Sequence, residues 1–309
     1  MISRRNIRVK VMQTLYVLDT RETPVPPAEA VKLLKKQFDL STELFVFLVH
    51  LLSEVTRYAE TDSRNRASKH LPTAEDLNVN TRIAGNELLW VILEHPSYKA
   101  ALTHFKPHLR IDHELVKKLY NELAETGEYK TYVTLASREK KSEKEILEFI
   151  FNDIILPSDL FESHIEELFN NWDDDVDMMH QMMLHFLQKP ASMNFQDMLG
   201  ADKWDFARRL LETVLEKKEV AMDLIKPKLK NWDPDRIALL DMILMQMGVS
   251  EFLFFETIPP KVTINEYIDL AKDYSTPQSG QFVNGILDNI HKDLVRENKL
   301  HKVAYKRVE

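Results

Sequence analysis

The sequence contains no cysteine. That excludes disulfides, thiolate zinc sites, iron–sulfur clusters and cysteine nucleophiles. Glycine is scarce, with six in 309 residues, and no GxGxxG, P-loop or GxSxG motif occurs. Long apolar runs are also missing. The most apolar stretch of note, Leu44–Leu52, contains His50 and falls well short of the roughly 20 residues of a membrane span. The start has neither the apolar stretch nor the small-residue cleavage site of a secretory leader, so the expectation is a cytoplasmic protein with no membrane contact.

What is present is 44% hydrophobic and 29% charged, the balance of a folded globular chain. Stretches rich in Leu, Glu, Lys, Ala and Met, with 13 prolines mostly between them, point to an all-α fold. Ile7, Val11, Leu15 and Leu18 form a helical stripe from about Arg4 to Asp19. Pro24, Pro26 and Pro27 break it, and helices are expected at Ala28–Gln37 and Ser41–Glu60. The polar run Thr61–Asn80 reads as a loop or linker, and Gly127–Lys141 stays open between strand-like propensity and helix.

Ser142 with Glu145, and Thr263 with Glu266, have the capping-box spacing; Thr276-Pro277 resembles an N-cap followed by a first-turn proline. Further helices are expected at Thr81–Glu94, Tyr98–Lys106, Asp112–Glu125, Asp159–Asn170, Asp175–Gln188, Lys203–Ile225, Pro234–Phe254, Ile264–Tyr274 and Pro277–Arg296. "NWD" recurs 60 residues apart, at Asn171–Asp173 and Asn231–Asp233. The echo fits a duplicated helical hairpin or two similar Asp-capped helices.

Catalytic, cofactor and metal sites are not expected. His104 and His108 share helical spacing, but Pro107 lies between them and no HExxH pattern follows; His180 and His185 are splayed. The acidic "NNWDDDVD" lacks the central glycine of a calcium loop, and helix-dipole compensation accounts for its carboxylates. The reading is a non-enzyme.

Charge is uneven. The formal net charge is -8, yet Ser3–Lys10 holds Arg4, Arg5, Arg8 and Lys10 and no acid. Cations at a helix N-terminus oppose its dipole by a few tenths of a kcal/mol each, so an outside anion is a simple reason for them. Arginine forks suit phosphate, and Asn6 adds a hydrogen-bonding group for a base edge or sugar. At this point a solvated helix end, pairing with the protein's own acids, and a transit segment remain as alternatives.

The same residues carry a family resemblance. "RRNIRVKVMQTLYVLD" (Arg4–Asp19) resembles the arginine-rich first helix of the bacterial NusB family. "IPPKVTINEYIDLAKDYSTPQSGQFVNGILDNI" (Ile258–Ile290) is similar to that family's C-terminal signature, and Asp235–Phe254 to its preceding helix. The resemblance covers Ile2–Thr20 and about Lys203–Lys299. It implies two packed three-helix bundles interrupted by an inserted helical subdomain. The divisions are then 1–22 for the first helix, 23–200 for the insertion, in which the NWD echo fits a partial duplication, 201–299 for the remainder and 300–309 for a basic tail.

The resemblance further implies binding of single-stranded boxA-type RNA on nascent ribosomal transcripts, with the small-subunit ribosomal protein NusE and, indirectly, RNA polymerase. It implies RNA contact by Arg4, Arg5 and Arg8, with Asn6 and Lys10 beside them, and by Gln278 and Phe282 in the second bundle. Phe282 has a rival reading as core with Ile286 and Ile290, and Gly285 one as a close-packing residue. Where the family often has an acidic–Ser–His–Lys run, "PQSGQ" (Pro277–Gln281) lacks the basic residue. The alternatives are a helical scaffold and an rRNA-processing module. A methyltransferase-type module would need an α/β cofactor domain and a cysteine, and neither is present.

Overall fold

The computed structural model describes residues 2–21, 23, 25–229 and 237–303. Among them every regular element is helical. In chain order they are α1 (Arg4–Asp19), α2 (Pro27–Ala67), α3 (Ala74–Leu77), α4 (Glu87–Glu94), α5 (Pro96–Phe105), α6 (His113–Glu125), α7 (Gly127–Thr134) and α8 (Lys140–Phe149). There follow α9 (Asp159–Leu168), α10 (Trp172–Gln188), α11 (Ala201–Glu216), α12 (Lys218–Ile225), α13 (Leu239–Phe254), α14 (Pro260–Tyr274) and α15 (Ser279–Arg296). No described helix is long and apolar enough to cross a membrane.

The chain divides into two compact units. One is Met1–Ile2 with Asp39–Met198, the other Ser3–Phe38 with Leu199–Glu309. In the second unit α1, α11 and α13 pack on one another, and α13, α14 and α15 do the same. The apolar α13 therefore serves both groups of three, which explains why its residues Ile243–Phe252 are all buried. Gly248 lets α13 approach its neighbours. A Cβ there would meet the Leu287 methyls at 2.9 Å and the Tyr267 ring at 3.4 Å. Gly285 has open space where its Cβ would be, so the close-packing role belongs to Gly248 instead.

The unit 39–198 has its own core. Phe45 packs on Phe186 and Phe195, and Phe47 on Phe169. Its polar centre is Glu143, fully buried on α8. Glu143 accepts from the Tyr132 hydroxyl at 2.9 Å, from Arg138 at 3.1 Å and from the Glu87 N–H at the start of α4 at 2.6 Å. Burial and the Glu143 carboxylate push the Tyr132 pKa up to about 12.

Several expectations shift for local reasons. The two helices expected from Ala28 to Glu60 are one, because neither proline nor glycine interrupts Gln37–Ser41; Ser41 instead donates to Asp175 at 2.7 Å. The run Thr61–Asn80 is helical through Ala67 and again at Ala74–Leu77, where Thr73 and Asp76 form a true capping box. Gly127–Thr134 is a helix capped by Thr126. The helices of the two expected capping boxes begin earlier, at Lys140 and Pro260, leaving Ser142 and Thr263 inside them. Thr276-Pro277 precedes α15 as a turn. The Asp-rich "WDDD" does open α10, whereas the second "NWD" lies outside the described residues.

One buried base in unit 39–198 has a pH consequence. The His50 Nδ1 is buried without a hydrogen-bond partner. Burial, then the nearby His108 and Arg57 charges, lower its pKa from 6.5 to about 4. The unfolded chain therefore takes up the proton first, and this contribution to stability is present above pH 6.5 and lost as pH falls toward 4. Melting curves from pH 7 to 4 are expected to fall more steeply for the parent than for His50→Gln, by up to about 3 kcal/mol. Parallel pH profiles would contradict it.

Candidate nucleic-acid interface

The basic start of the chain forms the first turns of α1. Ser3 is its N-cap: its hydroxyl oxygen accepts from the Asn6 N–H at 3.1 Å and it also bonds the Asn6 side chain. Asn6 is thereby half-buried and tied to the cap. No acid occupies this first turn. Arg5 and Arg8 are balanced by acids on other helices.

The four bases divide by depth. Arg8 lies on the face of Ile7, Val11 and Leu15, all buried, and is itself only 2% exposed. Its guanidinium donates to Glu251 through Nε at 2.7 Å and Nη2 at 3.1 Å, and to Glu266 at 3.3 Å. Glu251, on α13, is 0% exposed and also accepts from the Tyr267 hydroxyl and the Thr263 hydroxyl, each at 2.9 Å. Its carboxylate has four donors, so its charge is fully solvated by protein. Burial opposes the Arg8 charge, but Glu251 outweighs it and raises the guanidinium pKa. Burial, then Glu251, likewise drive the Tyr267 pKa well up.

Lys302 closes this end of α13. Its ammonium donates to the Glu251 and Phe255 carbonyl oxygens at 2.8 and 2.7 Å. Lys10 is also 2% exposed. Arg8 and Lys10 thus do not share a solvent-facing surface with Arg4 and Arg5, and the Glu251 pair turns Arg8 toward α13.

Arg4 is exposed, with its guanidinium 5.4 Å from the Phe206 ring centroid. Arg5 is 38% exposed and pairs with Asp273, itself 54% exposed, at 2.6 Å. That ion pair joins the N-terminal end of α1 to the last turn of α14. Five residues on from Asp273, Gln278 is exposed at the N-cap of α15, and Phe282 is half-buried in its first turns. Ser279 secures this connection by donating to Asp241 of α13 at 2.8 Å. Ile286 and Ile290 take the core role considered for Phe282.

Glu251, Tyr267 and Phe206 did not emerge from motif reading. One signal was available: Glu251 is the single charged residue of Met242–Phe254, and an acid inside an apolar helix requires a partner. The two arginine pairs differ in expected cost. Glu251→Gln strands a buried guanidinium and is expected to lower stability by about 3–5 kcal/mol. Arg5→Ala, at a solvated pair, is expected to cost no more than about 1 kcal/mol. Urea titrations of both variants check the contrast, and equal midpoints would contradict it.

Comparison with known proteins matches residues 176–292 to the NusB family model. That match takes in most of α10, all of α11–α14 and most of α15, and leaves α1 outside it. The chain is 45% identical over 100 residues to the transcription antitermination protein NusB of Salinibacter ruber, across 32% of this chain and 62% of that protein. It is 40% identical over 111 residues to the NusB of Methylacidiphilum infernorum, across 33% of this chain and 78% of the relative. For the Bacillus licheniformis NusB the figures are 40% over 95 residues, 31% and 74%. No solved structure matches. With a buried-arginine helix joined to an α13–α15 group that carries this similarity, the chain belongs to the NusB family, as a long form with a large helical insertion.

Proposed function

We propose that this protein is an RNA-binding transcription antitermination factor that acts on boxA-type sequences of nascent ribosomal transcripts, together with the small-subunit ribosomal protein NusE. In this reading it reaches RNA polymerase through that complex and catalyses no reaction. The observation that carries the proposal is the Arg5–Asp273 pair, which sets the exposed basic end of α1 beside the connection bearing Gln278 and Phe282.

Arg4 and Arg5 take the phosphate contacts. The Arg5–Asp273 pair is solvated, so exchanging its carboxylate for an RNA phosphate costs little. Phe282 supplies a ring for a base, and Gln278 and Asn6 supply hydrogen bonds. Arg8 acts from beneath, as a positioning residue. The absence of a cation in Pro277–Gln281 concentrates the phosphate contacts on α1.

Binding to boxA RNA in the presence of NusE should weaken with salt. The double variant Arg4→Ala, Arg5→Ala should flatten the log–log salt slope by about one unit per lost contact. If that variant binds boxA RNA as tightly as the parent at every salt concentration, the proposal is wrong. NusE is expected to co-purify with the full chain; a helical scaffold without antitermination activity would retain neither NusE nor boxA RNA.

A further inference from the structure

Two aromatic residues stand two positions apart at the start of α11, and they are used differently. Phe206 is buried under the Arg4 and Arg8 guanidiniums and packs edge-on against Phe255, with centroids 5.7 Å apart. Trp204 is only half-buried. Its indole meets Phe38 edge-on at 6.3 Å, and the Lys35 ammonium lies 5.8 Å from the ring centroid. Immediately before Trp204 is Lys203, half-buried, whose pKa is lowered by burial and by the Arg4 charge. The neighbouring Asp205 carboxylate is engaged with Arg208 at 3.1 Å.

Arg4, Lys203, Trp204 and Lys35 therefore run as a cation–aromatic track away from the α1 terminus, within one compact unit. Lys32 and Lys36 are exposed on the same stretch of α2. A polyanion with flat apolar faces suits such a track, because each nucleotide offers a phosphate to a lysine and a base to an indole.

We propose that Trp204, Lys203 and Lys35 form a stacking subsite for a nucleotide of single-stranded RNA continuing past Arg4. The base takes the indole face that Lys35 now covers, and Lys35 and Lys203 receive the flanking phosphates. This rests on the RNA-binding reading above and extends its footprint onto α11 and α2. It gives the half-exposed indole a role that core packing does not require.

The experiment is fluorescence anisotropy with 5′-labelled single-stranded RNA lengthened one nucleotide at a time, using the full chain with NusE. The parent should gain affinity over the lengths that reach Trp204. Trp204→Leu should abolish that gain, about tenfold from one lost base stack, while binding of the shortest RNA is unchanged. Trp204→Phe should retain most of it. Lys35→Gln and Lys203→Gln should each lower the salt slope by about one unit on long RNA only. The lysine variants carry the test if Trp204→Leu does not fold, since Lys35 is exposed.

Parent-like affinity of these variants at every length, with Arg4→Ala and Arg5→Ala still impaired, overturns this subsite alone. Loss of NusE binding with RNA affinity intact also overturns it, by making the track a protein contact. If the parent binds no RNA, or the arginine variants bind as well as the parent, the reading beneath it fails as well.

Discussion

A guanidinium and a carboxylate removed from water hold each other in place, because either one alone would be an uncompensated buried charge. Arg8 and Glu251 are such a pair, and the arrangement of Ser3–Phe38 with Leu199–Glu309 depends on them. Glu251 draws donors from α1 and α14, and its backbone carbonyl takes the Lys302 ammonium. One residue on α13 thereby ties down three chain segments, two through its carboxylate and one through its backbone carbonyl. Apolar packing around Gly248 and Leu287 supplies bulk attraction without that directionality.

The same geometry separates the arginines by role. Arg8 is held by two carboxylates, one of them fully buried, whereas Arg5 pairs with a solvated aspartate. Four residues along a helix bring a side chain back to nearly the same face but about one turn further from the end. Arg4 stays at the rim over Phe206, while Arg8 descends between Phe206 and Tyr267. The proposed RNA surface is thus the outer part of a basic cluster whose inner part anchors the helix. The aromatic rings beneath it stabilise cations at a cost in polar burial that hydrogen bonds to Glu251 offset.

The residues 39–198 repeat the device with different parts. Glu143 gathers Arg138, Tyr132 and the first N–H of α4, much as Glu251 gathers Arg8, Tyr267 and Thr263. This unit keeps its own core and its own buried charge centre. The proposed RNA contacts draw on none of its residues.

Helical periodicity, scarce glycine and the absence of strand partners made the all-α class legible before any coordinates, and the stripe Ile7–Val11–Leu15 located the packed face of α1. The C-terminal motif made the family legible. Local rules were weaker at helix ends: Ser142 and Thr263 have cap chemistry but sit inside helices, because packing extends a helix past the first residue able to cap it. Sequence alone determined that a basic cluster begins the chain and that an acid interrupts the apolar α13. Only the tertiary structure decided that Arg8 and Glu251 meet each other, that Arg5 faces Asp273, and that Trp204 stands beside Lys35. Those pairs join residues far apart in the chain, and burial, which determines whether a charge is locked or available, is a property of the assembled fold rather than of any local pattern.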